Sequence, residues 1–74
     1  MSQSHKERKR REAELRYHMN ELANIRTKLD SAYSVFNGTT EDYLLDAAIF
    51  EISALKARYN SEFSKIKELS VGEE

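Results

Sequence analysis

The chain has 74 residues, 39% of them hydrophobic and 34% charged, with no proline, no cysteine and two glycines, a composition of long solvated helices rather than of a deep core. The missing cysteines exclude a catalytic thiol, a thiolate metal centre and a disulfide staple, so a domain this small needs another source of stability, and self-association is the simplest. The net charge of −1 hides an uneven distribution: residues 1–16 carry six Lys/Arg against three Glu, and residues 17–74 carry six against ten Asp/Glu.

In chain order, residues 1–11 are a basic arm, expected to fray, in which Ser4-His5-Lys6-Glu7 fits a capping box and opens the first helix at about residue 5. From Leu15 the pattern strengthens. Leu15, Leu22, Leu29 and Phe36 recur every seven residues, flanked by His18, Ile25 and Ala32 on one side and by Met19, Arg26 and Tyr33 on the other, which predicts an amphipathic helix to about residue 36. Asn37-Gly38 follows, with Gly38 placed to close the helix in the left-handed conformation.

Thr39-Thr40-Glu41-Asp42 then supplies hydroxyl caps and acidic side chains for the start of a second helix at about residue 40. Its stripe is Leu45, Ala48, Ile52, Leu55, Tyr59, Glu62, Ile66 and Leu69, with Ile49 and Phe63 alongside, so the helix runs to about residue 69 and leaves 71–74 as a disordered tail. So short a connection makes an antiparallel αα-hairpin over 12–70, a single all-α unit. Folding at Gly38 pairs Ala32 with Leu45, Leu29 with Ala48, Ile25 with Ile52, Leu22 with Leu55, His18 with Tyr59 and Leu15 with Phe63.

Helix two carries a second apolar stripe opposite the first: Tyr43, Ala47, Phe50, Ala54 and Ala57. A helix apolar on two faces needs two partners, so the expected assembly is a homodimer of hairpins, a four-helix bundle with these five residues as the self-association interface.

Candidate chemistry is sparse. Lys6, Arg8, Lys9, Arg10 and Arg11 could meet nucleic-acid phosphates, but Glu7, Glu12 and Glu14 stand at i,i+4 spacing from Arg11, Arg8 or Arg16, and Arg10, which also suits a plain solvated helix start. Basic residues ahead of leucine heptads suggest a bZIP helix, yet the base-reading asparagine is missing and the heptads stop at Gly38. His18, Glu14 and Glu62 lie at one level as a conceivable metal set, against a structural reading in which His18 hydrogen-bonds near Tyr59. Arg26 is expected to lay its stem over the seam and pair with Glu51. No glycine-rich phosphate loop or nucleophile elbow is present, so no catalytic residue, cofactor or metal is assigned and the chain is not expected to be an enzyme.

The stretch from Asp42 to Tyr59, with Asp42, Leu44-Leu45, Asp46, Ile49-Phe50, Ala54 and Arg58-Tyr59, resembles the signature half of the YaaL-like family, short Gram-positive bacterial proteins of unknown function. It differs in having no proline after Asp42. The resemblance implies a small cytoplasmic helical protein and singles out Asp46, Arg58 and Tyr59, with no mechanism attached. The longest apolar run, residues 47–50, is far short of the roughly 20 residues that cross a bilayer, and the charged N-terminus does not suit a signal peptide, so no membrane insertion and a cytoplasmic location are expected. The functional expectation is a helical protein-interaction module that self-associates or docks on a partner helix; the alternative is a nucleic-acid-binding accessory protein using the arm.

Overall fold

A computed structural model describes the backbone of residues 2–71 and the side chains of residues 4–71. It is an antiparallel hairpin of two helices, α1 (Ser2–Gly38, 37 residues) and α2 (Asp42–Val71, 30 residues), which pack against each other. At 1.5 Å per residue α1 alone is about 55 Å long, and the molecule measures 60 × 14 × 13 Å. Its radius of gyration is 17.2 Å, against about 11 Å for a compact chain of this length, so it is a rod.

The seam follows the three-four spacing of the apolar residues. Leu15, His18, Leu22, Ile25, Leu29 and Ala32 of α1 are buried or half-buried, as is every member of the α2 stripe from Leu45 to Leu69. Ile25 (1% exposed) and Leu55 (2%) are the most deeply buried; they cluster with Ala32 and Ile52, with Leu29 and Tyr59 packed against the group. Of the two flanks expected on α1, the structure buries the one with His18, Ile25 and Ala32 and leaves Met19, Arg26 and Tyr33 exposed. Leu22 is only half-buried. Phe63, expected opposite Leu15, is exposed and stacks on Tyr59 one turn earlier, ring centroids 6.4 Å apart.

The turn differs from expectation. Gly38 is the last residue of α1 and has no positive φ. The helix closes instead by ordinary geometry, Thr39 N–H donating to the Val35 carbonyl at 3.1 Å, so no left-handed cap is required. Thr39 Oγ1 then accepts from Glu41 N–H (3.1 Å), and the Glu41 carbonyl accepts the first α2 bond from Leu45 N–H (3.0 Å), which makes Glu41 the N-cap residue. With Asp42 in the first turn of α2, the negative charge sits at the positive end of the helix dipole. The chain therefore pivots at Thr40, not Gly38, and His18 meets Glu62, three residues beyond the expected Tyr59.

Gly38 is consequently free of any conformational need for glycine, and a Cβ built on it meets nothing within 4 Å. Gly38→Ala should stabilise the hairpin by about 0.5–1 kcal/mol, because alanine loses less backbone entropy on entering a helix. A denaturant melt checks this; a loss of stability would mean that the glycine is left-handed in solution.

The basic segment is helical from Ser2 onward, three residues before the expected start. The tail beyond Val71 lies outside the described residues. No helix among the described residues is long and apolar enough to cross a membrane.

Candidate interaction site

Toward the open end of the hairpin the seam becomes polar. His18 Nδ1 donates to Glu62 Oε1 at 2.6 Å, both side chains being largely buried, and Lys65 Nζ stands 3.7 Å from Glu62 Oε2. An ionised carboxylate only accepts, so the imidazole proton on this side sits on Nδ1. The Tyr17 ring meets the imidazole edge-on at 5.1 Å. Tyr59 is therefore a packing neighbour of the core and not the partner of His18. Glu14, the third group of the conceivable metal set, is exposed, and among the described residues no group of three or more His, Cys, Asp or Glu is placed to hold a metal.

The hydrogen bond from His18 holds the Glu62 carboxyl below the usual carboxylate range, outweighing burial, which acts upward; the charges of His18 and Lys65 add to the lowering. A depressed folded-state value means that the unfolded chain binds more protons at this position. The stabilisation is thus complete above the ordinary carboxylate range and disappears as pH falls through the folded value of Glu62. In acid titrations followed by denaturant midpoint, Glu62→Gln should flatten the acid limb relative to wild type. Parallel acid limbs would show that the pair does not contribute.

All five residues of the second α2 stripe are exposed, Tyr43 at 85% and Phe50 at 75%, with Ala47, Ala54 and Ala57 between and beyond them. Nothing in α1 covers them. Beside this stripe, a groove of about 420 Å³ runs between the helices near the turn, walled by Lys28, Ser31 and Val35 of α1 and by Leu44, Ala47 and Glu51 of α2. Ala47 belongs to both surfaces.

Arg26 lies on the opposite flank, in a groove with Leu29, Lys56 and Tyr59, so it does not pair with Glu51 as expected. The reason is the helical step: Arg26 and Lys28 are about 200° apart on α1, and only Lys28 faces the side where Glu51 stands. On Arg26's flank, Lys56 Nζ sits over the Tyr33 ring at 5.9 Å.

In the arm, Lys6, Arg8, Lys9 and Arg10 are exposed and Arg11 is half-buried. The i,i+4 pairs expected with Glu7, Glu12 and Glu14 are not formed; the ion pairs among the described residues are the two made by Glu62. Being helical, the arm spreads these cations around its circumference rather than along one stripe. Of the family-like residues, Asp46 and Arg58 are exposed and Tyr59 packs on the core.

Comparison with protein-family models gives no match, and comparisons with curated proteins and with solved structures give none either. The inter-helix groove is the feature the apolar periodicity does not report. Its sequence signal is a second heptad series, Glu21, Lys28 and Val35 on α1 with Leu44, Glu51 and Arg58 on α2, legible only once the helices are laid side by side.

Proposed function

We propose that this chain is a non-catalytic helical interaction module that works by self-association, forming a homodimer of hairpins, with docking on a partner helix as the heterotypic use of the same surface. The observation that carries this is the row Tyr43, Ala47, Phe50, Ala54 and Ala57, left exposed on a helix whose other face is already committed to the seam. The rod exposes 5942 Å², against about 4,700 Å² for a compact monomer of its mass, and a second hairpin is the most economical cover. A cytoplasmic location and a place in the YaaL-like family, on Asp46, Arg58 and Tyr59, belong to the same proposal. Light scattering after size exclusion should give the dimer mass at micromolar concentration, and Phe50→Asp should lower it by placing a charge against a desolvated surface. A monomer mass for wild type across the concentration range would overturn the reading.

One observation favours a second reading, nucleic-acid binding: among the described residues, the arm's exposed cations have no carboxylate partners. Each Lys or Arg that neutralises a duplex phosphate adds about 0.9 to the log-log salt slope. Titration of labelled DNA and RNA at several salt concentrations, for wild type and for Arg8→Gln/Lys9→Gln/Arg10→Gln, decides it. Tight binding at physiological salt that the triple substitution abolishes would put the arm ahead of the apolar face.

A further inference from the structure

The groove beside Ala47 carries charges as well as apolar surface, and their arrangement is specific. At its end away from the turn, Lys28 on α1 stands at the same level as Glu51 on α2. One heptad further from the turn, and so on the same side of each helix, Glu21 on α1 is level with Arg58 on α2. The sign is reversed between the two levels. The intervening levels carry short side chains, uncharged throughout: Asn24 and Ser31 on α1, Ala54 and Ala47 on α2. Toward the turn the level is apolar, with Val35 beside Leu44. None of the four charged residues forms an ion pair within the hairpin, among the described residues.

We infer that this flank is the dimer interface, that its occupant is the same flank of a second copy, and that the two hairpins lie with their turns at the same end. This deepens the self-association reading and rests on it. A two-fold axis parallel to the helices sets α1 of one hairpin against α2 of the other with levels preserved, because an isologous contact exchanges the two helices. Lys28 then faces Glu51 of the other copy, Glu21 faces Arg58, and Val35 packs on Leu44. Asn24 and Ser31 face Ala54 and Ala47, whose single methyl groups leave room for the helices to approach. No level sets like charges together or a charge against apolar surface. With the turns at opposite ends, the four charges would still find opposite signs, but the apolar level of Val35 and Leu44 would fall against Glu14 and Lys65 at the open end. Apolar matching therefore selects the arrangement with adjacent turns. Ala47 and Ala54 sit at the centre of this interface, and Tyr43 and Phe50 border it on the outer side.

Charge reversal tests the assignment on the intact chain, since Lys28 and Glu51 are both exposed and circular dichroism can confirm unchanged helicity. Sedimentation equilibrium should show the dimer dissociation constant raised about tenfold or more by Lys28→Glu and likewise by Glu51→Lys, because each reversal creates two like-charge contacts across the axis. Mixing the two variants in equal amounts should restore affinity in a heterodimer, since one of its two contacts then sets Glu at 28 against Lys at 51 and the other keeps the wild-type pair. Weakening by both single variants without rescue on mixing would overturn the adjacent-turn arrangement, because with opposed turns position 28 meets position 21. A dimer indifferent to both reversals yet lost in Phe50→Asp would overturn this interface while keeping self-association. A wild-type monomer throughout would defeat the self-association reading itself.

Discussion

Leu55→Ala should destabilise the hairpin by about 2–5 kcal/mol, the usual range for deleting buried methyl groups and leaving a cavity. Leu55 is 2% exposed and touches the cluster of Ile25, Ala32 and Ile52, and a two-helix rod has no third layer able to collapse into the space. Leu22→Ala, on the half-buried edge of the same seam, should cost clearly less. The pair is measured by denaturant melts at one protein concentration, since the proposed self-association would make apparent stability concentration-dependent. Equal losses would show that the core is centred nearer the open end.

Ile25→Asp should unfold the chain under conditions in which Met19→Asp remains helical. Ile25 is 1% exposed and clusters with Ala32, Ile52 and Leu55, so a carboxylate there would be desolvated among apolar side chains, a penalty of about 3–5 kcal/mol. The lost burial of the isoleucine adds about 2–5 kcal/mol, and a 74-residue domain has roughly 4–11 kcal/mol to lose, so the two together remove most of its stability. Met19 is 54% exposed, and its replacement should change stability by no more than about 0.5–1 kcal/mol. Far-ultraviolet circular dichroism during thermal unfolding reads both. Similar melting of the two variants would mean that α1 presents its other flank to α2.

The two substitutions probe the one choice on α1 that apolar spacing leaves open. His18, Ile25 and Ala32 on one side of the leucine heptad and Met19, Arg26 and Tyr33 on the other are equivalent by periodicity, since each set lies one step from Leu15, Leu22 and Leu29. On α2 the choice is narrower, because the stripe from Leu45 to Leu69 alternates steps of three and four along the whole helix, while only Ile49 and Phe63 stand beside it and the second stripe stops at Ala57. The whole of that stripe is the buried face.

What the sequence by itself determines about this protein is local: two long helices, a short connection between them somewhere in residues 37–41, the packed stripe of α2, and the unpartnered row from Tyr43 to Ala57. Helical period and turn chemistry operate over a few residues, so those features are written in consecutive positions. Only the tertiary structure decides the register and the flanks. Gly38 stays in α1 because an ordinary backbone bond from Thr39 closes the helix, and moving the pivot from Gly38 to Thr40 carries His18 past Tyr59 to Glu62. The same packing separates Arg26 from Glu51 and brings Lys28 beside it, because on a helix two residues apart means nearly opposite sides, and which side faces the neighbour is set by the partner helix rather than by the chain's own spacing.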